Sequence, residues 1–309
     1  MFRYTLQRIG YMIVTIFVII AITFFTMKLL PGTPYQNEQR LSPEMIQQLN
    51  EQYGLDKPVP VQFVYYLAGL VQGDMGDSFS LGGRPVTHII AHRLPVSAEL
   101  GIEAMFFGVI AGIILGIIAS LRRGTFIDYG TVILAVVGIS IPSFVFAVLL
   151  QHYFAVKFSL LPVAFWETPS SRVLPIISLG IGVMAFISRF MRTEMVEVLG
   201  QDYITFAKAQ GMSRITVIVK HGIRNALIPV ITIIGPMTAG ILTGSLVIEN
   251  IFAIPGIGDL FIKSILTNDY PVILGTTVLY SAGFVVMLFI TDVLYGVIDP
   301  RIRIAGGDS

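Results

Sequence analysis

Residues 104–121 read AMFFGVIAGIILGIIASL, eighteen positions without a formal charge. Wound as an α-helix, such a run covers about 27 Å, close to the roughly 30 Å apolar thickness of a bilayer. Ala104, Gly108, Gly112, Gly116 and Ser120 recur at every fourth position along it. That spacing lines one helix face with small side chains and lets a second helix come to backbone contact. Two readings of the stripe stand open: an interface between subunits or a moving helix pair, and tight packing inside one subunit. Gly240 and Gly244 repeat the spacing further on.

Five other apolar stretches surround this one: 9–27, 129–156, 173–188, 225–248 and 270–291. The 28 residues of 129–156 contain only His152 as a possible charge, so part of that run must lie outside the bilayer core, and 173–188 is the shortest at 16. The alternation of a membrane β-barrel is absent, so helices are the elements that can cross without orphaning backbone groups. The whole chain agrees: 309 residues, 54% hydrophobic and 13% charged, against about 25% charged in soluble domains. We therefore expect an all-α polytopic membrane protein with six transmembrane helices. A net charge of +1 gives no field to attract nucleic acid, and the absence of cysteine removes disulfides and thiolate-bound metals.

Arg3 and Arg8 precede the first span, which is too long for a signal-peptide core and lacks a small-residue cleavage site, so it reads as an uncleaved anchor. With the N-terminus inside, twelve of the 20 basic residues fall in the short cytoplasmic parts and eight in the longer outer parts. The positive-inside rule then puts both termini in the cytoplasm. Two polar excursions follow from this: an outer one over 31–97, where Ser42 and Pro43 read as the cap and first position of a helix, and an inner one over 189–224.

Catalytic chemistry finds little support. The chain has no Gly-Lys pair, so it has no phosphate-binding P-loop of its own. Glu99, Glu103 and Asp292 sit at span ends, where a carboxylate reaches the interface more cheaply than it would serve an ion relay. Gly256-Ile257-Gly258-Asp259 spells the Gly-x-Gly-Asp string of intramembrane aspartyl proteases, which need a second carboxylate to share a proton. The Tyr-Asp pair that carries it is missing, and a turn at Pro255 explains the string. Ser140-Ile141-Pro142-Ser143 interrupts the third span; proline frees a carbonyl and kinks a helix, so Ser140, Pro142 and Ser143 are pathway candidates.

The inner excursion is the most informative. Asp202 reads as an N-cap, Tyr203 to Gln210 as a short helix, and Gly211 as its stop, with Lys208 suited to the last turn. Tyr203, Ile204, Phe206 and Ala207 give that helix an apolar side, which predicts a docking element for a cytoplasmic protein.

At this point the sequence resembles a known family. Asp202-Tyr203-Ile204-Thr205-Phe206-Ala207-Lys208-Ala209-Gln210-Gly211 looks like the coupling-helix motif of ABC importer permeases. It continues through His221-Gly222-Ile223-Arg224-Asn225-Ala226-Leu227-Ile228-Pro229, with Gly211 and Pro229 eighteen positions apart. The Glu-Ala-Ala opening common in that family is absent; the form present is similar to the peptide-permease branch. Leu30-Pro31-Gly32-Thr33-Pro34, Tyr53-Gly54-Leu55-Asp56-Lys57-Pro58, Gly73-Asp74-Met75-Gly76 and Arg93-Leu94-Pro95 agree with the B-type subunit of oligopeptide and dipeptide permeases. So do Ile141-Pro142-Ser143-Phe144, Leu161-Pro162, Pro255-Gly256-Ile257-Gly258, Asp269-Tyr270-Pro271 and Asp299-Pro300-Arg301, in collinear order.

The resemblance implies the MetI-like fold of type I ABC importers, as one permease domain over 1–309: an anchor span 1–30, the outer excursion 31–97, and core spans 98–300 that include the coupling loop 189–224. It implies a multi-pass subunit of the bacterial cytoplasmic membrane that passes peptides, with oligopeptides favoured over dipeptides, nickel chelates or glutathione, by alternating access. Its partners would be a second homologous permease, two cytoplasmic ATPases that hold ATP and magnesium, and an extracytoplasmic peptide-binding protein met by 31–97. The chain itself would carry no cofactor. Asp202, Tyr203, Phe206, Ala207, Ala209 and Gly211 would couple to the ATPase, supported by His221, Arg224, Asn225 and Pro229. An ion-coupled carrier and an intramembrane protease are the competing classes; the first wants a mid-membrane carboxylate and the second a second aspartate.

Overall fold

The computed structural model describes residues 2–29 and 42–298, all helical or irregular apart from one isolated bridge between Asp77 and Pro85. The Leu30–Pro34 and Asp299–Arg301 motifs lie outside the described residues. In chain order the helices are α1 Phe2–Met27, α2 Pro43–Gln52, α3 Val59–Val71, α4 Val86–Leu121, α5 Phe126–Ser140 and α6 Ser143–Leu150; then come α7 Pro169–Leu199, α8 Asp202–Ala209, α9 Arg214–Thr216, α10 Arg224–Ile251, α11 Ile257–Leu266 and α12 Tyr270–Ile298. Two segments, Gln151–Lys157 after α6 and Val217–Ile223 before α10, are wound more widely than an α-helix. Among the described residues, five helices are long and apolar enough to cross a membrane, or six if the bent pair α5–α6 counts as one span.

The chain divides into two compact units. The first comprises Met1–Ser97 and Pro255–Val286. Ser42 caps α2, its Oγ accepting from the Met45 amide at 3.2 Å with Pro43 at the first helical position, as the sequence predicts. Phe24 and Met27 from α1 pack with Tyr270, Ile273 and Leu274 from α12, against Phe63 and Tyr66 of α3. Val86 and Ile90 pack with Ile257, Leu260 and Val272. Asp269, fully buried, ties the 78–80 loop to the start of α12: the Ser78 and Ser80 hydroxyls and the Phe79 and Ser80 amides all donate to its carboxylate. Four donors offset the cost of burying that charge.

The second unit comprises Ala98–Ile254 and Met287–Ser309, and α7 is its hub. The small-residue stripe is packed inside this chain. A Cβ at Gly108, Gly112 or Gly116 would lie 2.7 Å from a side-chain carbon of Val183, Ile187 or Met191, all on α7. Gly138 of α5 meets Ala185 of α7 at the same separation. The subunit-interface reading of residues 104–120 therefore gives way to close helix–helix packing within one unit.

The third apolar run departs further from expectation. The prediction was a kink; the structure turns by 105° between α5 and α6. Ile141, before the proline, is extended at φ −91° and ψ 124°, because the pyrrolidine ring excludes the helical conformation from its predecessor. α4 also begins eighteen residues before its apolar run, carrying helix through His88, His92, Arg93 and Pro95.

Candidate functional site

The loop after α7 is built on α8. Asp202 occupies the first helical position rather than the cap, and Gln201, extended at φ −76° and ψ 153°, precedes it without a side-chain hydrogen bond. An anion in the first turn still suits the helix dipole. Gly211 ends the helix in the left-handed region at φ +78°, and the Met212 amide reaches back to the Ala207 carbonyl at 3.3 Å. A side chain at 211 would strain that turn, which is why glycine is needed there.

The apolar side of α8 is in fact two sides. Ile204 and Ala207, three apart, face inward and pack with Val217 and Met212. Tyr203 and Phe206, also three apart, face outward and are 42% and 64% exposed. Ile215 and Val219 are exposed too, and the cations Lys208, Arg214, Lys220 and Arg224 are exposed with them. Exposed aromatics on a helix anchored by its opposite face fit a protruding knob that a partner covers. Asp202, Ala209 and Gly211 are exposed along α8 and its end, whereas Ala207 is 4% exposed.

The two halves of the inner motif touch. The Asn225 amide donates to the Tyr203 hydroxyl at 3.3 Å and to the His221 carbonyl at 2.8 Å, so the start of α10 holds α8 by a polar clamp. Gly222 lies against Leu199 of α7, where a Cβ would come within 3.2 Å. His221 is half-buried, its Nε2 without a partner among the described residues, and Arg224 is exposed. Pro229 sits inside α10, its carbonyl accepting from the Thr232 hydroxyl at 2.6 Å. Of the pathway candidates, Ser140 and Pro142 are exposed and Ser143 is half-buried at the α5–α6 break.

Charges at the membrane-facing ends have partners that the sequence did not announce. Asp128 accepts a two-pronged contact from Arg192, through Nε and through Nη2 at 2.8 Å, and the Gly124 amide at 2.9 Å. Glu99 pairs with Arg172 and accepts from the Trp166 indole at 2.9 Å; Arg172 also reaches Glu103 at 3.4 Å and lies over the Trp166 ring. These partners are 64 to 73 positions apart, with no local pattern to betray them. Asp259 of the Gly-x-Gly-Asp string is bound by Arg93 at 3.2 Å and Lys263 at 2.8 Å. The carboxylate is thus engaged by two cations rather than by the second carboxylate that aspartyl chemistry requires.

Comparison with known proteins agrees with this layout. Residues 109–304 match the family described as binding-protein-dependent transport system inner membrane component, and residues 1–101 match its N-terminal membrane component. The chain is 49% identical over 305 residues to the dipeptide transport system permease protein DppB of Bacillus subtilis, covering 98% of this chain and 99% of the relative. It is 40% identical over 305 residues to the oligopeptide transport system permease protein OppB of Escherichia coli K12, covering 98% and 100%. Among solved structures it is similar to the MetNI methionine ABC transporter, with a TM-score of 0.56 at 16% identity over 68% of this chain and 96% of that one. An amino acid ABC transporter gives a TM-score of 0.52 at 17% identity over 70% and 94%. These last two establish the fold. The chain belongs to the inner-membrane components of binding-protein-dependent transport systems, the permease subunits of ABC transporters.

Proposed function

We propose that this chain is one permease subunit of a bacterial ATP-driven peptide importer, with both termini and α8 on the cytoplasmic side. The observation that carries the reading is the end-to-end match to proteins named dipeptide and oligopeptide permeases. The higher identity to dipeptide permeases, 49% and 43% against 40%, moves dipeptides ahead of the oligopeptides that the sequence motifs favoured. A second permease completes the pore, two ATPases hold ATP and magnesium, and a binding protein delivers peptide from outside. Tyr203 and Phe206 form the knob that seats in an ATPase, with Asp202, Ala209 and Gly211 at its rim. Ala207 and Ile204 fasten the knob to the chain, and the His221–Pro229 segment carries its displacement into α10. Ser140, Pro142 and Ser143 mark a break that lets α5 and α6 move as separate rods along the pathway.

The absence of cysteine makes the test direct. A single cysteine at Phe206, in the chain assembled with its neighbouring subunits, cross-links to an ATPase in a nucleotide-dependent way. A cysteine at the buried Ile204 does not. Active preparations that lack any ATPase overturn the reading. Uptake of a labelled dipeptide that is competed by nickel chelate or glutathione, and not by other peptides, overturns the substrate.

A further inference from the structure

The first unit contains a cavity of about 360 Å³ that the coupling mechanism leaves unused. That volume sits at the lower end of the usual range for small-molecule sites. Its walls come from the end of α1, from α2 and α3, from the 75–79 loop and from the start of α12. Phe24, Tyr53, Tyr65, Phe79 and Tyr270 make it largely aromatic.

Two polar groups in this wall have no hydrogen-bond or ion-pair partner among the described residues. The Lys28 ammonium lies 5.6 Å from the Phe24 ring centre and 5.2 Å from that of Tyr270, and among the described residues no carboxylate pairs with it. Burial holds its pKa below the ordinary lysine value. Among the described residues the buried Tyr66 hydroxyl has no hydrogen-bond partner, and burial raises its pKa. The other charges that line the cavity, Glu51, Lys57 and Asp77, are exposed to water. Water screens those three, so the half-desolvated ammonium gains most from an incoming anion.

We propose that this cavity binds the carboxylate of a small amphipathic molecule, with Lys28 and Tyr66 taking the carboxylate and the aromatic wall taking an apolar body. Cation–π contact alone leaves the ammonium's hydrogen-bonding protons unused. A phenol and an ammonium that share one cavity supply the two kinds of donor a carboxylate accepts. An amino-acid or peptide C-terminus and a free fatty acid offer the same chemistry. The site requires neither ATP nor the transport reading.

The test is equilibrium binding to the full chain in lipid nanodiscs, with labelled N-acetylphenylalanine, its amide and octanoate as probes. The acid binds saturably and at least tenfold tighter than the amide, because a charge-assisted contact is lost in the amide. Lys28→Met abolishes that preference while Lys28→Arg and Lys57→Met retain it. Tyr66→Phe, which removes one oxygen and keeps the ring, weakens the acid by a few-fold. Binding of the acid falls as pH rises toward the ordinary lysine value of 10.5, the direction set by losing the ammonium proton. Tighter N-acetylphenylalanine than octanoate assigns the site to peptide-like ligands, and the reverse order to lipid-derived ones. Equal affinity for acid and amide, no saturable binding of either acid, or an unchanged preference in both Lys28→Met and Tyr66→Phe overturns the proposal.

Discussion

A methyl group is enough to probe the packing of α4 on α7. At Gly112 a Cβ would stand 2.7 Å from the Ile187 Cβ and 2.8 Å from the Met184 carbonyl oxygen, and a backbone atom cannot swing aside. Gly112→Ala should therefore destabilise the chain by about 1–3 kcal/mol, the range for overpacking. Gly182→Ala, where a Cβ meets nothing within 4 Å, should be neutral or gain about 0.5 kcal/mol from helix propensity. Thermal unfolding of the two purified variants separates them; equal melting temperatures would mean that α4 and α7 do not touch at the stripe. Charges divide in the same way. The Asp128 side chain is 3% exposed and its partner Arg192 is 26% exposed, so Asp128→Asn should cost about 2 kcal/mol by leaving a guanidinium uncompensated. Lys263, 64% exposed, is the dispensable partner of Asp259, and Lys263→Ala should stay within about 0.5 kcal/mol. The stripe was legible in the sequence because spacing alone makes a face. Asp128–Arg192 was not, since nothing in either residue's neighbourhood names a partner 64 positions away.

At the level of elements, hydropathy located the spans and misjudged how they continue. Residues 173–188 gave the shortest apolar run, yet α7 is 31 residues long, because polar residues at both ends are compatible with helix though not with lipid. For the same reason α4 starts at Val86 and not near Ala104. Pro142 announced an interruption; its angle was hidden, since a proline fixes one torsion and its neighbour's range but leaves the tertiary direction to packing. The 105° turn is testable with spin labels at Ile127 and Leu149, both exposed. A continuous helix would separate those positions by about 33 Å, whereas two rods meeting at that turn bring them to about 20 Å. The native chain should give the shorter distance. Pro142→Leu should shift part of the population toward the longer one, because it lifts the steric bar on helix at Ile141. A native distribution centred at the longer value would mean that 126–150 is one straight span. In α8 the sequence identified a short amphipathic helix, and the division into an inner Ile204–Ala207 face and an outer Tyr203–Phe206 face emerged only with the packing of Val217 and Met212.

For the whole molecule the question is what drives it, and the distribution of paired charge bears on that directly. A carrier run by an ion gradient needs a carboxylate that can exchange its proton or cation during the cycle. Here Glu99 and Glu103 lie against Arg172, Asp128 against Arg192, and Asp259 against Arg93 and Lys263. Each of these carboxylates is already engaged by a cation, which leaves none of them an open seat for a passing ion. Glu249, fully buried in α10, Glu194 and Glu197 in α7, and Asp292, whose side chain is outside the described residues, stand apart from this argument. A mechanism that takes its energy from partner ATPases through α8 needs no titrating group in the spans, and the paired carboxylates fit that economy. The measurement is uptake of a labelled dipeptide into vesicles that carry the assembled transporter. At fixed internal ATP, a protonophore and a sodium ionophore should each leave the initial rate within about twofold. ATP depletion should remove it, and Phe206→Asp should remove it without lowering the chain's melting temperature, since that side chain is 64% exposed. A rate that follows the proton or sodium gradient and survives ATP depletion would require one of these ion pairs to open during transport. Asp128→Asn and Glu103→Gln would then be the variants to show which one opens.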